Sequence, residues 1–169
     1  GPLLAALCLA ELLVVIDNTI VNVAIPTFAR DLNASTTGLQ WIVDAYTLAF
    51  ACLLLPAGHL GDRIGRRRVL VIGLAAFGVV SGATALCTTL DAVTTCRALL
   101  GICAALVYPA TLSLIMTTFE GSSRKGLAVG LWAATSGLGI ALGPILGGLL
   151  LEHFSWESIF WVNVPLALI

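Results

Sequence analysis

The chain is a succession of long apolar stretches separated by short polar ones. Apolar runs cover residues 3–28, 39–60, 69–90, 93–119 and 127–151, and a sixth opens at 159 and continues to 169. Each complete run is long enough to cross a hydrocarbon core about 30 Å thick, which takes roughly 20 residues at the helical rise. Helix is the state this predicts. Lipid offers no hydrogen-bond partner to the backbone, so a spanning segment must satisfy its own peptide groups, and the strands of a closed barrel would alternate polar with apolar residues instead. The pattern therefore predicts an all-α integral membrane fold with five full spans and the start of a sixth.

Composition agrees, with 59% hydrophobic residues, 10% charged residues and a mean hydropathy of +1.06, which removes a water-soluble globular domain from consideration. Both ends fall inside apolar runs and the chain opens on Gly1 rather than Met, so it reads as a fragment of a longer protein. The first run is not a cleaved signal peptide. It is longer than such a segment's apolar region, lacks a basic leader and contains Glu11 and Asp17.

Net charge is only −1, but the positions of the charges carry information. Six of the eight basic residues, Arg63, Arg66, Arg67, Arg68, Arg124 and Lys125, lie in the loops 61–68 and 120–126. The positive-inside rule places those loops and the N-terminus in the cytoplasm, and Asp31, Asp91, Glu152 and Glu157 on the other side. Four arginines between two spans read as this topology signal and not as a nucleic-acid site. Cys8, Cys52, Cys87, Cys96 and Cys103 show no CxxC spacing and sit in or beside apolar runs as small packing residues. Cys87 and Cys96 flank one external turn, and spacing alone neither requires nor forbids a bridge between them. No catalytic set, phosphate loop, metal-ligand cluster or cofactor motif is present, so enzyme chemistry is not expected.

The ionisable residues inside the spans are Glu11 and Asp17 in span 1, Asp44 in span 2 and Arg97 in span 4. A charge near the bilayer centre costs about 2.5–3.5 kcal/mol on insertion scales, so such groups face a bundle interior or a wet cavity. Glu11, Asn18 and Asn22 stand at i, i+7 and i+11 on one helical face, and with Asp17 one residue round from them they predict a polar sector facing a cavity. Asp17 and Arg97 fall at similar depth if span 1 runs outward, which makes them candidates for an ion pair. Burial favours the neutral form of such an acid and an arginine favours the anion, so the pair is also a candidate for proton coupling. Asp44 shares a face with Gln40 and Thr47 near the external end, and reads equally as an interfacial acid or as a proton or cation site.

The stretch Gly58-His-Leu-Gly-Asp62-Arg63-Ile-Gly65-Arg66-Arg67-Arg68-Val-Leu70 resembles, position for position, the signature GxLaDrxGrkxxl between spans 2 and 3 of the major facilitator superfamily. Gly58 and Gly65 would allow close approach and a tight turn, and Asp62 could cap a helix or pair with an arginine. In that family the segment is a latch between two lobes. The run from Ile16-Asp17-Asn18-Thr19 to Pro26 is similar to the first-span motif of fourteen-span drug:proton antiporters, and Trp41-Ile-Val-Asp44-Ala-Tyr46 to their second-span opening. Gly139, Gly143, Pro144, Gly147 and Gly148 fit the antiporter motif of span 5, where glycines four apart let a neighbouring helix approach and Pro144 removes a helical hydrogen bond. Arg97-x3-Gly101 matches the span 4 motif, with Leu100 standing where that motif has glutamine.

The resemblance extends to Trp161-Val-Asn163-Val-Pro165. It implies the N-terminal six-helix lobe of a major facilitator superfamily transporter, built as two inverted three-helix repeats with spans 1 and 4 lining a central cavity. The implied activity is proton-coupled antiport at the plasma membrane, exporting drug- or antibiotic-like amphiphiles. The implied partners are that substrate, protons, the bilayer and a second lobe, with neither metal nor cofactor. Two alternatives stay open: a symporter or uniporter for a nutrient within the same superfamily, and a truncated membrane protein that transports nothing. The charge distribution makes a direct prediction. A cysteine placed at Ser155 should react with an impermeant thiol reagent added outside, whereas one at Ser122 should not; the reverse pattern would overturn the orientation.

Overall fold

The computed structural model describes residues 1–168, so residue 169 of the expected sixth span lies outside the described residues. Among the described residues five helices are long and apolar enough to cross a membrane: α1 Pro2–Asp31, α2 Thr36–Ile64, α3 Arg66–Thr84, α4 Leu90–Thr118 and α5 Lys125–His153. Two short helical pieces follow, α6 Ser158–Trp161 and α7 Asn163–Ala167. The surface of the long helices is what a lipid solvent predicts, since large side chains such as Leu55 on α2, Val79 on α3 and Leu127 on α5 stand exposed.

The helices overrun their apolar cores because they continue until something caps them. Ser35 accepts a hydrogen bond from the Gly38 amide at 3.2 Å and Thr89 from the Ala92 amide at 3.3 Å, which starts α2 and α4 three residues before the apolar runs do. Span 3 differs in the other direction. It ends at Thr84 and not at 90, because residues 85–89 form the turn that delivers Thr89 to its capping position.

The expected cytoplasmic loop 61–68 is hardly a loop at all. α2 runs to Ile64, α3 starts at Arg66, and Gly65 alone joins them at φ +102°, a conformation that side-chain-bearing residues rarely adopt. Gly58 does not share this role: among the described residues no atom lies near the position its Cβ would take, so no other helix of this chain makes a close approach there. The second basic connection narrows to 119–124, with Gly121 at φ +73°.

α1 packs chiefly on α5, and α2 on α4. Exchanging the first three helices with the next three carries the α1–α5 contact onto α4–α2, the relation expected of two three-helix repeats. α1 and α4 form the centre of the lobe: half of each one's most apolar window is buried, against 11% for α2 and 17% for α5.

Between apolar helices in lipid, close contact has to come from small residues, because there is no hydrophobic drive to bring them together. Gly139, Gly143 and Gly147 supply it against α1. A Cβ at Gly143 would collide with the Thr19 side chain and the Ile20 backbone, one at Gly139 with Val15, and one at Gly147 with Ile20. The Thr19 hydroxyl lies 3.3 Å from the Gly139 carbonyl as well as bonding within its own helix. On α4, Gly101 lies against the Tyr46 carbonyl of α2 so closely that a Cβ would overlap it. Gly148 and Pro144 are off the α1 seam. Among the described residues nothing stands near the Cβ position of Gly148, Pro144 is exposed, and α5 continues as one helix through both. This separates two substitutions of one motif. Gly143→Leu should lower the thermal midpoint of the purified protein by an overpacking cost of about 1–3 kcal/mol or more, and Gly148→Leu should leave it nearly unchanged. Equal effects would show that the seam does not carry the packing.

Candidate functional site

Along α1 the residues Ala10, Leu13, Val14, Asp17, Ile20, Val21, Ala24 and Phe28 are all buried, at the three- and four-residue spacing of a helix face. Asp17 is therefore a carboxylate in the middle of an apolar stripe. α4 repeats the arrangement with Val93, Arg97, Leu100, Gly101 and Ala104. The two stripes face each other, and Asp17 and Arg97, both fully buried, meet with Arg97 Nη1 2.7 Å from Asp17 Oδ2.

The other carboxylate oxygen accepts a hydrogen bond from Asn163 Nδ2 at 2.6 Å, and the same amide nitrogen lies 3.0 Å from Ser81 Oγ. Ser81 in turn donates to the Phe160 carbonyl at 2.9 Å. Arg97 Nε donates to the Ile42 carbonyl of α2 at 3.2 Å, and its guanidinium carbon sits 4.2 Å from the centre of the Tyr46 ring, a cation–π distance. Arg97 Nη2 and Asn163 Oδ1 are buried without a partner among the described residues. Helices α1, α2, α3, α4, α6 and α7 thus converge on one charge pair.

The polar sector expected on α1 divides in two. At 100° per residue Asp17 lies about 120° round the helix from Glu11 and about 100° from Asn18, so a face shared by all of them is geometrically excluded. Asp17 points into the lobe, while Asn18 and Asn22 are exposed. Glu11 is buried against α5, where Ser136 hydrogen-bonds its Oε1 and Oε2 has no partner among the described residues. Asp44 is exposed and lies outside the Asp17–Arg97 network.

Beside Asn18 opens a cleft of about 280 Å³ between α1, α2, α4 and α5, lined by Val14, Asn18, Thr19, Tyr46, Phe50, Tyr108 and Ser136 among others. Its aromatic wall is continuous. Tyr46 stacks on Phe50 with centroids 6.4 Å apart, Phe50 meets Tyr108 edge-on at 5.8 Å, and Tyr108 meets Trp132 at 5.2 Å. Trp132 is held by a 3.1 Å hydrogen bond from Nε1 to Thr111 Oγ1. Tyr46 belongs both to this wall and to the Arg97 contact, so a single ring separates the cleft from the ion pair. A larger opening of about 400 Å³ lies between α1 and α3 near Leu7, Leu70 and Leu166, and its lining is almost wholly aliphatic.

At the other end of α2, Asp62 Oδ1 accepts from Arg66 Nε at 3.1 Å and Nη2 at 2.8 Å across the Gly65 turn. Arg66 Nη1 lies 3.3 Å from the Ser113 carbonyl of α4. Both charges sit against the helix dipoles, an acid in the last turn of α2 and a base in the first turn of α3, and their pairing offsets that. Arg63 and Arg67 have no ion-pair partner among the described residues. Asn163, Ser81 and Ser136 were not singled out from sequence as site residues. Their signal is a polar side chain inside an apolar run, isolated at Asn163 and beside Thr135 at Ser136.

The sequence profile of the Major Facilitator Superfamily matches residues 7–169. Over 98% of its length the chain is 48% identical to the multidrug efflux pump LfrA of Mycolicibacterium smegmatis and 45% identical to the methyl viologen resistance protein SmvA of Salmonella typhimurium. It is 41% identical over 99% of its length to a tetracenomycin C resistance and export protein of Streptomyces glaucescens. The chain spans only about a third of each relative, 33%, 34% and 31% respectively. Among solved structures, a bacterial homolog of the human lysosomal transporter Spinster, inward-facing and unoccupied, superposes with a TM-score of 0.79 at 18% identity, over 98% of this chain and 41% of that one.

The buried pair predicts a specific pattern of stability. Arg97→Ala leaves Asp17 as an uncompensated buried charge and should cost about 3–5 kcal/mol, read as a large fall in thermal midpoint. Adding Asp17→Asn to the Arg97→Ala background should recover much of the loss. Strictly additive effects of the two changes would show that the residues are not energetically paired.

Proposed function

This chain belongs to the major facilitator superfamily and folds as the N-terminal lobe of its transporters, and on that premise we propose that the full-length protein is a proton-coupled antiporter. In this reading it exports amphiphilic, drug- or antibiotic-like compounds across the plasma membrane by alternating access. The observation that carries the reading is the fully buried Asp17, held at once by Arg97 and Asn163 and separated by the Tyr46 ring from an open cleft. The names of relatives 41–48% identical, which describe efflux, resistance and export, point the same way.

The cleft offers an amphiphile flat aromatic surface from Tyr46, Phe50 and Tyr108, with polar atoms of Asn18, Thr19 and Ser136 at its margin. A second lobe would close its other side. Protonation of Asp17 would remove one charge of the pair and leave Arg97 resting on the Ile42 carbonyl and the Tyr46 face. Because Tyr46 also lines the cleft, a change at the ion pair reaches the substrate surface through one side chain. That is the physical route by which proton and substrate occupancy would be linked.

The basic residues around Gly65 and in 119–124 favour an orientation with these turns and the N-terminus in the cytoplasm. Asp62, Arg66 and Gly65 would then form the cytoplasmic latch. Arg63 and Arg67 are free to meet the second lobe, and the Gly139–Gly143–Gly147 seam would keep α1 and α5 moving as one body.

The experiment is transport into everted membrane vesicles carrying the full-length protein. A fluorescent amphiphile should accumulate when a proton gradient is imposed and leak back when a protonophore collapses it. Asp17→Asn should remove most of this uptake, and Asp62→Asn should do so while leaving membrane insertion intact. Accumulation indifferent to the protonophore would refute proton coupling, and full activity with an unchanged pH profile in Asp17→Asn would transfer the proton-carrying role to Asp44.

A further inference from the structure

Five cysteines are spread over this lobe, and two of them touch. Cys87 lies in the turn after α3 and Cys96 in the second turn of α4, and their sulfurs are 3.7 Å apart. Among the described residues this is the one contact between thiols. Cys8 is on α1, Cys52 is exposed on α2, and Cys103 is buried deeper in α4. Both members of the pair are half-buried, so an aqueous reagent has partial access to each.

We propose that Cys87 and Cys96 form an oxidisable dithiol at the extracytoplasmic end of the α3–α4 hairpin, closed to a disulfide by exchange with a low-molecular-weight disulfide in that compartment. A disulfide needs sulfurs about 2.05 Å apart, so closure asks for an approach of roughly 1.7 Å, within reach of side-chain rotation on a short turn. In the first step one cysteine releases its proton and its sulfur attacks a sulfur of the external disulfide, and the thiolate expelled takes up a proton. In the second step the other cysteine attacks the mixed disulfide so formed, expelling the second half of the oxidant as a thiol. The two chain thiols are oxidised and one external disulfide is reduced to two thiols, so atoms and electrons balance.

Partial burial, reinforced by the Cys96 thiol beside it, pushes the Cys87 thiol up to about 11. At neutral pH Cys87 is therefore protonated and slow to attack a disulfide, so the first attack falls to Cys96 and Cys87 closes the bridge from within contact distance. The position is also mechanically useful. Cys96 immediately precedes Arg97, and Cys87 lies just beyond the last turns of α3 that carry Ser81. A bridge would tie together the two helix ends that present the direct partner of Asp17 and, through Asn163, its second one.

The placement rests on the orientation read from the basic residues, and the test separates the two ideas. Full-length protein in intact cells is exposed to oxidised glutathione, which does not cross the membrane, or to diamide, which does. After blocking with N-ethylmaleimide under denaturing conditions and cleavage at arginine, the peptide 69–97 carries both cysteines. The expected result with oxidised glutathione is a peptide two hydrogens lighter that has taken up no maleimide, while Cys8, Cys52 and Cys103 remain labelled. Cys87→Ser should instead leave Cys96 as a mixed disulfide with glutathione, and oxidation should raise the thermal midpoint of the wild type but not of this variant. A bridge formed by diamide alone would overturn the extracytoplasmic placement. Two maleimides on the peptide after both oxidants would overturn the dithiol itself.

Discussion

A bilayer gives a charge nowhere to go, and the pairing of Asp17 with Arg97 is how this lobe lives with that constraint. Each residue alone would cost a few kcal/mol to hold at membrane depth. Together, with both carboxylate oxygens engaged and the guanidinium against a carbonyl and an aromatic face, they form a site that only a correctly assembled bundle can satisfy. α1 supplies the acid, α4 the base, α2 the carbonyl and ring, and the α6–α7 segment the amide, steadied by Ser81 of α3. The pair thereby specifies which helices are neighbours, something that apolar surfaces in an apolar solvent cannot do by themselves.

Close contact between the remaining surfaces is a matter of shape. The glycines of α5 admit Val15, Thr19 and Ile20 of α1, and Gly101 of α4 admits the backbone of α2 beside Tyr46. These seams set the distance between α1 and α5 and between α2 and α4, and so they set the width of the cleft the four helices enclose. The same Tyr46 that Gly101 draws close to α4 lies over Arg97 and lines that cleft. Packing, electrostatics and the candidate binding surface are joined at one residue.

The turn between α2 and α3 obeys a different constraint. Three arginines in the first turn of α3 oppose the helix dipole, which is a local cost. Asp62 moderates it by reaching Arg66 across a one-residue turn that glycine makes feasible. Arg66 also touches the Ser113 carbonyl of α4, so the turn is tied to the second repeat as well as to its own hairpin.

Much of the fold was legible in the chain, because helix in lipid is dictated by local composition. The five spans, their approximate limits and their charge asymmetry follow from residues read one after another. The glycine spacing of α5 was legible for the same reason, being a property of one helix. Asp17 and Arg97 could be named as candidates since a charge in an apolar run is conspicuous. What the sequence could not decide was direction. Asp17, Asn18 and Glu11 read as one polar sector although 100° per residue already sets Asp17 apart from the other two; that Asp17 faces inward to Arg97, and that Glu11 meets Ser136 of α5, only packed neighbours show. Asn163, Ser81 and Ser136 acquire a role solely from what faces them across 82 to 146 residues of chain. Local chemistry determined the helices; three-dimensional contact decided which polar atoms meet, because a hydrogen bond depends on position in space and not on distance along the sequence.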